Sequence, residues 1–338
     1  MKQLTVKATL RKYKVRIEDD YRDFRGFLRG VTKGEKVCLI RDENVNAEEI
    51  IKSLKGYEVS DYPLGGGENV KTASNFIALA EFLYKNGFSR ADTLIALGGG
   101  SISDLTGFVA SAYMRGMNYV NVPTTLLGAV DACVGGKTAV DTENGKNVLG
   151  AFYPPTAVFI AMSEINSLPE KQILCGKAEM AKYALLSGDI SAEDLGGAIT
   201  KELIYKCLAV KRTFVERDEF DLGARRALNL GHTVAHAYET ASNFTLSHGE
   251  AVARGLYKII DVSAKYFEYS EEKTARMKFL LSAAGFDKTY AEELPYSDIS
   301  GDKKAGDGKI ELVLIKDVGN VKIVKLSVKK AKELLEWK

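Results

Sequence analysis

Short apolar runs alternate with amphipathic segments through the first half of the chain. Runs with the length of buried strands lie at residues 36–40, 58–62, 93–97, 119–123 and 157–160. Between two of them, residues 76–84 carry apolar side chains at the three-and-four spacing of a helix face. Strands that alternate with helices predict a parallel sheet with helices packed on it. This pattern extends over roughly residues 1–160.

The periodicity changes after Pro155. From 168 to 281 the apolar spacing is almost entirely helical, and two later alternating runs joined by residues 317–320 predict a hairpin. A last helix is predicted at 328–337. We therefore predict an α/β domain at 1–160, followed by a mostly α-helical domain at 161–338.

The composition limits the classes of partner. Hydrophobic residues make up 46% of the 338, and 47 basic against 45 acidic residues give a net charge of +2. This balance predicts no nucleic-acid or membrane partner, because both favour a basic excess. The sequence has no signal-peptide core and no run of about 20 apolar residues, and its four cysteines lack a CxxC pair. We expect reduced cysteines and a cytoplasmic location.

All three histidines lie within residues 225–256. His232 and His236 are four apart and share one helix face, and His248 stands where a second helical pattern begins. A helix–turn–helix could bring the three imidazoles together, which predicts a metal or catalytic site. Glu179, on an earlier helix, could complete a three-ligand zinc site with two of the histidines. An exposed ion pair with Lys182 is the alternative for this carboxylate.

Glycine-rich segments indicate anion binding. Residues 94–104 place three glycines between a strand and a helix, where backbone N–H groups can approach a pyrophosphate. The spacing is not GxGxxG, so a simple tight turn stays open. Asp42, at the end of an earlier strand, could bind a ribose or be an ordinary loop carboxylate. Lys137 and Lys146 each follow glycine, which suits contact with an anion, although solvated surface lysines are the alternative.

Several segments resemble, in order, the motifs of the 3-dehydroquinate synthase family. They include LIALGGGSISDLTGF, GKAEMAKYALLSGD, RRALNLGHTVAHAYE and LSHGEAVARGL, and the resemblance covers most of residues 36–320. It implies a dehydroquinate synthase-like fold, with an α/β N-terminal Rossmann-like NAD-binding domain and a mostly α-helical C-terminal metal-binding domain. The implied cofactors are NAD and Zn²⁺, or Co²⁺ in its place.

The implied reaction converts a sugar-acid phosphate, 3-deoxy-D-arabino-heptulosonate 7-phosphate, into 3-dehydroquinate and phosphate. This step belongs to the shikimate pathway to aromatic amino acids. NAD would be reduced transiently, phosphate would leave by β-elimination, the hydride would return, and an intramolecular aldol closure would complete the ring.

The resemblance also implies three groups of site residues. The metal ligands would be Glu179, His232 and His248, with His236 as a second-sphere or proton-relay residue. The substrate would be held by Asp131, Lys137, Asn147, Lys182, Lys211, Arg225, Asn229 and a lysine of the pair Lys303 and Lys304. Arg115 would reach the substrate phosphate of a neighbouring subunit, which implies a homodimer. NAD would contact Asp42, Asn44, Glu68, Lys71, Gly99, Gly100, Ser101, Asp104, Thr124, Thr125, Lys137 and Lys146.

Other functions stay open at this point. Cys133 and Asp141 stand where the family usually has serine and asparagine, and neither departure removes a proposed ligand. The alternatives are a sugar phosphate cyclase making an inosose or valiolone ring, a metal-dependent alcohol dehydrogenase, and a silent binding protein. The lysines and arginines favour a substrate with both a carboxylate and a phosphate.

Overall fold

The apolar runs of the first half form the strands of one sheet in a computed structural model, which describes residues 1–243, 245–291 and 309–335. The chain divides into two compact units, Met1–Pro169 and Glu170–Lys338. The sequence predicted a division after residue 160. The short helix Met162–Asn166 belongs to the first unit, where the Ser163 N–H donates to the Asp19 carbonyl oxygen at 2.8 Å.

All residues of the first unit are described. Its strands are β1 (Lys2–Lys7), β2 (Lys12–Glu18), β3 (Lys36–Asp42), β4 (Glu58–Leu64), β5 (Thr93–Gly98), β6 (Asn118–Pro123), β7 (Lys137–Thr142), β8 (Gly145–Phe152) and β9 (Ala157–Ala161). Its helices are α1 (Phe24–Val31), α2 (Glu48–Ser53), α3 (Ala73–Lys85), α4 (Gly100–Ala112) and α5 (Met162–Asn166). Two 3₁₀ turns, Glu68–Val70 and Tyr113–Arg115, and a π-helical turn, Gly128–Ala132, connect them.

Within residues 1–169, seven strands form a sheet in the order β1-β2-β9-β6-β5-β3-β4. The pairs from β2 through to β4 are parallel, and only β1 joins its neighbour antiparallel. The chain passes from β3 outward to β4 and then crosses back over β3 to β5, so the direction of the crossovers reverses between β3 and β5. The carboxyl ends of β3 and β5 therefore flank a topological switch point, the place where open α/β sheets bind ligands.

Helices cover both faces of this sheet, as the near-continuous apolar strands require. Val37 and Leu39 of β3 pack on one face in a cluster that includes Phe24 of α1. Cys38 and Ile40 alternate with them and pack on the other face in a cluster that includes α3 and α4. The period of two along a strand thus divides the apolar side chains between two cores.

The strands β7 and β8 form a separate antiparallel hairpin. The sequence indicated only a polar, glycine-rich region here. On β8, the apolar side chains of Val148, Leu149 and Phe152 are 51%, 46% and 38% exposed. An apolar strand that faces solvent in one chain is a surface suited to association.

The second unit is mainly helical. Its helices are α6 (Glu170–Ser187), α7 (Ala192–Gly196), α8 (Lys201–Arg217), α9 (His232–Ala241), α10 (His248–Phe267), α11 (Glu271–Ala283) and α12 (Val328–Leu335). Two 3₁₀ helices, Ala224–Asn229 and Lys288–Ala291, and the predicted hairpin of β10 (Lys309–Asp317) and β11 (Asn320–Ser327) complete what is described. Over the described ranges, no helix combines the length and the apolar character needed to cross a bilayer.

Candidate functional site

Glu179, in the middle of α6, has a side chain with no exposed surface. A buried carboxylate requires charged or hydrogen-bonding partners. Lys182, three residues later on the same helix, forms an ion pair with Oε2. The Nε2 atoms of His232 and His248 each lie 3.3 Å from Oε1. Side chains from α6, α9 and α10 therefore meet at the carboxylate of Glu179.

His232 is the first residue of α9. It follows Gly231, whose φ of 80° is a left-handed conformation that favours glycine. Its Nδ1 lies 3.1 Å from the carbonyl oxygen of Leu230. Since a carbonyl oxygen only accepts hydrogen bonds, we assign a ring proton to Nδ1, and Nε2, which faces Glu179, is then the ring atom that could give a lone pair to a metal ion.

His248 is the first residue of α10, where the Ser247 hydroxyl caps the helix by accepting a hydrogen bond from the Glu250 N–H. Its Nδ1 lies 3.0 Å from Oε1 of Glu239. Burial alone would lower the pKa of His248, but hydrogen bonds to Glu179 and Glu239, together with their charges, raise it to about 10. The two carboxylates thus favour positive charge at this position.

The buried carboxylate is held in its anionic form. Burial opposes ionisation of Glu179, but the charges of Lys182 and His232 and the hydrogen bonds from both histidines hold its pKa well below the usual range. Glu239 behaves similarly, since its hydrogen bond to His248 and the charge on that ring outweigh burial and lower its pKa. The centre therefore offers anionic oxygen beside imidazole nitrogen.

This donor set fits a divalent ion of the zinc type. One carboxylate and two imidazoles are a common ligand set for catalytic zinc, which keeps a fourth position for substrate or water. The three ligand atoms of Glu179, His232 and His248 lie within 4.8 Å of one another. Bonds of about 2.0–2.1 Å in a tetrahedral site would place neighbouring ligand atoms about 3.3–3.4 Å apart, close to the two 3.3 Å separations.

Two glycines of α10 allow these helices to approach closely. A Cβ atom at Gly249 would lie 2.4 Å from the Cα of Cys175, which precedes Glu179 by one turn of α6. A Cβ atom at Gly255 would lie 2.3 Å from the carbonyl oxygen of Gly231, immediately before His232. No side chain fits at either contact. The absence of a Cβ at both positions therefore lets the three ligands meet.

The other predicted residues of the second unit lie on neighbouring elements. Asn229 and His236 line a cavity with His232, Arg226 and the start of β10. Arg225 is buried, and its Nη1 donates to the Glu219 carbonyl oxygen at 2.5 Å. Lys211 is buried on α8. Lys303 and Lys304 lie outside the described residues. His236 is exposed, and the group of side chains that could hold a metal ion contains His232 and His248 but not His236.

In the first unit, Asp42 ends β3 and the glycines follow β5, on either side of the switch point. Asp42 Oδ1 accepts hydrogen bonds from the Asn44 N–H and the Asn44 side-chain amide, both at 2.9 Å. The absence of a Cβ at Gly66 leaves room for the Asn44 side chain, because a Cβ there would lie 2.6 Å from Asn44 Nδ2. Gly99 is the N-cap of α4, and Gly100 begins that helix. A helix N-terminus at a switch point fits a dinucleotide phosphate.

A hydrogen bond and an ion pair connect the predicted cofactor residues. The Ser101 hydroxyl donates to Glu68 Oε2 at 2.6 Å. Lys71 is buried and pairs with Asp104. Burial alone would lower the pKa of Lys71, but the charges of Asp104 and Glu68 raise it. Thr124 and Thr125 follow β6, and the Thr124 N–H donates to the Gly98 carbonyl oxygen at 3.0 Å, which joins this loop to the glycine turn.

The remaining predicted residues of the first unit lie on short turns and the hairpin. Asp131 belongs to the turn Gly128–Ala132, and Lys137, Lys146 and Asn147 lie on β7 and β8. Arg115 is exposed, with a φ of 66° that is rare for a residue other than glycine. Met114 before it and Gly116 after it also have positive φ. The three residues form a sharply folded loop that carries the Arg115 side chain at the surface.

The sequence did not single out Glu239 or Arg226. Glu239 follows His232 by seven residues, two turns of one helix, and this spacing was the available signal for a shared face. Arg226 pairs with Glu311 of β10 at 2.6 Å. That contact joins distant parts of the sequence, so local spacing could not indicate it.

The two halves of the chain match two domain families of one enzyme. The family model described as 3-dehydroquinate synthase N-terminal matches residues 61–175, and the one described as 3-dehydroquinate synthase C-terminal matches residues 176–305. The 3-dehydroquinate synthase of Enterococcus faecalis (strain ATCC 47077 / OG1RF) is 36% identical over 352 residues, covering 98% of each chain. The chain belongs to the 3-dehydroquinate synthase family. It is therefore an enzyme of a lyase family, as the motifs predicted.

Solved structures share the fold. A 2-deoxy-scyllo-inosose synthase complexed with carbaglucose-6-phosphate, NAD⁺ and Co²⁺ is similar with a TM-score of 0.86 over 99% of each chain, at 22% identity. The 2-epi-5-epi-valiolone synthase of Streptomyces hygroscopicus subsp. jinggangensis 5008, with NAD⁺ and Zn²⁺ bound, has a TM-score of 0.81 over 96% of each chain, at 21% identity. The predicted dehydroquinate synthase-like fold is confirmed.

Proposed function

We propose that this enzyme converts 3-deoxy-D-arabino-heptulosonate 7-phosphate into 3-dehydroquinate and phosphate, with NAD and a divalent metal ion as cofactors. The observation that carries the proposal is the cluster of Glu179, His232 and His248 in a chain of the 3-dehydroquinate synthase family. Glu179 and the two Nε2 atoms would hold the ion, with Zn²⁺ preferred and Co²⁺ as the substitute. When bound, the ion supplies polarisation of a substrate hydroxyl and NAD supplies reversible hydride acceptance.

The polar residues around the cluster would bind the two anionic groups of the substrate. Lys182 lies beside the carboxylate ligand, and Asn229 and His236 line the cavity next to His232. Lys211, Arg225 and a lysine of the pair Lys303 and Lys304 would add positive charge. Asp131, Lys137 and Asn147 are the proposed substrate residues of the first unit. Charge-assisted hydrogen bonds of this kind orient carboxylates and phosphates and replace their hydration.

We assign NAD to the carboxyl ends of β3 and β5 in the first unit. The backbone at Gly99 and Gly100 would receive the pyrophosphate, because the N–H groups at the start of α4 have no partner within their own helix. Asp42 and Asn44 would contact the ribose. Glu68, Lys71, Ser101, Asp104, Thr124, Thr125, Lys137 and Lys146 complete the proposed set.

We also propose that the enzyme works as a homodimer in the cytoplasm. Val148, Leu149 and Phe152 are exposed, and because strand side chains alternate, β8 offers apolar side chains on both of its faces to a second copy. The loop of Arg115 also lies at the surface of the first unit. In a dimer Arg115 would reach the phosphate in the neighbouring subunit.

Sedimentation of a Leu149→Lys variant tests the dimer, because a charge in a buried apolar interface strongly disfavours association. A variant that stays dimeric at low concentration would contradict this surface.

The activity is tested with NAD⁺, Zn²⁺ and the heptulosonate phosphate, by following phosphate release together with NADH absorbance. We expect phosphate and 3-dehydroquinate in equal amounts and no accumulation of NADH. Accumulation of NADH would instead indicate an alcohol dehydrogenase. An inosose or a valiolone, formed from a hexose or heptulose phosphate without a carboxylate, would indicate another sugar phosphate cyclase. The lysines and arginines of the second unit favour the acid substrate.

A further inference from the structure

The two imidazoles at the metal centre have different supports. His232 Nδ1 lies against a neutral backbone carbonyl, that of Leu230, whereas His248 Nδ1 lies against the carboxylate of Glu239. The Nε2 atom of each ring lies at the same distance, 3.3 Å, from Glu179. The rings thus have equivalent positions around the carboxylate, and they differ in the charge of the group behind them.

The fold gives Glu239 a fixed position. It lies in the last turns of α9, two turns after His232, and its side chain is 16% exposed. At this place it contacts the first residue of the next helix, across the turn that connects α9 to α10. His248 is 34% exposed and has no other hydrogen-bond partner at Nδ1 among the described residues. Without the carboxylate, rotation of the ring about its side-chain bonds would be free to carry Nε2 away from Glu179.

We propose that Glu239 is a positioning residue of the metal centre, which fixes the tautomer and orientation of His248 so that its Nε2 lone pair faces the ion. The Glu239 carboxylate accepts a hydrogen bond from the Nδ1–H group and increases the donor strength of the ring at Nε2. Because it acts through His248, Glu239 is not itself a ligand. The inference rests on the proposed metal centre and adds a residue that completes it.

The test is Zn²⁺ affinity, measured by competition with a chromophoric chelator in the full chain. We expect Glu239→Ala to bind Zn²⁺ about 10–100-fold more weakly, the usual cost of removing a carboxylate behind a metal-bound imidazole. Glu239→Gln keeps an oxygen that can accept the hydrogen bond from Nδ1–H, so it should lose less Zn²⁺ affinity than the alanine variant. Glu250→Gln, a similar change on α10 at a residue that pairs with Arg254, is the matched control and should bind Zn²⁺ like the wild type.

The absorption spectrum of bound Co²⁺ gives a second measurement. We expect a changed visible spectrum in Glu239→Ala, because the His248 ligand is displaced, and a spectrum close to wild type in Glu239→Gln. Wild-type Zn²⁺ affinity in a folded Glu239→Ala variant, or an equal loss in both variants, would overturn the inference. Weaker Zn²⁺ binding in Glu239→Ala than in the wild type, combined with a wild type that forms no dehydroquinate, would overturn the proposed function and leave the role of Glu239 supported. A wild type that binds no Zn²⁺ would overturn both.

Discussion

At the scale of single residues, Asp141 shows how one side chain can hold a strained neighbour in place. Its Oδ1 accepts a hydrogen bond from the Asn147 N–H at 2.7 Å, and Asn147 has a φ of 55°. The Asp141 N–H donates to the Lys71 carbonyl oxygen at 2.8 Å. Asp141 therefore connects a proposed NAD residue to a proposed substrate residue.

Two variants at Asp141 separate the effect of its charge from the effect of its hydrogen bond to Asn147. Asp141→Ala removes the acceptor, which should cost about 1.5 kcal/mol and raise the substrate KM roughly tenfold. Asp141→Asn keeps an acceptor oxygen and should change KM by about threefold or less. Steady-state kinetics of the two variants measure this difference. The same KM in the wild type and the alanine variant would show that Asn147 needs no such support.

Residue types and spacing indicated much of the metal centre. The grouping of all histidines and the carboxylate on an earlier helix predicted a ligand set whose donor atoms lie within 4.8 Å of one another in the structure. The support of each ring was not predictable, because it depends on where Leu230 and Glu239 lie in three dimensions. Spacing alone could not exclude His236 as a ligand, because it shares a helix face with His232. The family resemblance gave His236 a second-sphere role, and its side chain is exposed.

At the scale of elements, the metal centre depends on how closely α10 packs against α6. A glycine in the interior of a helix normally costs about 1 kcal/mol relative to alanine, so replacement by alanine usually stabilises. At Gly249 we expect the reverse, because the new Cβ would lie 2.4 Å from backbone atoms of Cys175. Overpacking of this kind costs about 1–3 kcal/mol.

Gly249→Ala should therefore unfold at a lower urea concentration and should bind Zn²⁺ more weakly. Gly26→Ala is the matched control, since Gly26 lies in α1 and a Cβ there would have nothing within 4 Å. We expect this control to be as stable as the wild type, or more stable. Urea unfolding with chelator competition measures both properties. A Gly249→Ala variant with unchanged stability and affinity would show that α10 can shift without disturbing the ligands.

The loop between α8 and the helix that carries Arg225 gives a prediction about pH. Asp218 accepts hydrogen bonds from the backbone N–H groups of Leu222, Gly223 and Arg225. Burial opposes ionisation, but these three bonds, together with the charge of Arg225, lower the pKa of Asp218 below its ordinary 3.8. The folded loop therefore favours the carboxylate. This stabilisation is present above pH 3.8 and is lost as the pH falls through the lower, folded-state pKa.

Asp218→Asn should melt below the wild type at neutral pH. After allowance for solvent screening we expect a loss of about 0.5–1 kcal/mol, or roughly 1–3 °C in Tm. The difference should shrink as the pH falls below about 3.8, because the wild-type carboxylate also becomes neutral. Thermal unfolding followed by circular dichroism at several pH values measures the gap. An equal gap at neutral and strongly acidic pH would contradict a role for the charge.

The elements themselves were largely predictable where apolar periodicity was strong. Buried apolar runs predicted the strands β3, β5, β6 and β9. The turn between two alternating runs predicted the late hairpin of β10 and β11. The hairpin of β7 and β8 was not, because its residues are rich in glycine and polar groups and β8 has no buried face. The close contact at Gly249 was also hidden, since a glycine inside a helix carries no sign of what packs against it.

At the scale of the whole molecule, the proposed cofactors belong to different units of the chain. The proposed metal ligands lie on α6, α9 and α10 of the second unit, and the proposed NAD residues lie in the first unit. A ligand present at 100 times its Kd stabilises the folded form by about 2.7 kcal/mol. Each cofactor should therefore slow hydrogen exchange mainly in its own unit.

Hydrogen exchange read by mass spectrometry tests this separation. Zn²⁺ should protect amides in α6, α9 and the start of α10, and NAD⁺ should protect the glycine turn after β5 and the end of β3. His248→Ala should lose the protection by Zn²⁺, since one of three ligands is gone, and keep the protection by NAD⁺. A loss of NAD⁺ protection in that variant would mean that the first unit does not hold its cofactor independently. Because the variant changes only the second unit, such a result would contradict the division of binding residues between the two units.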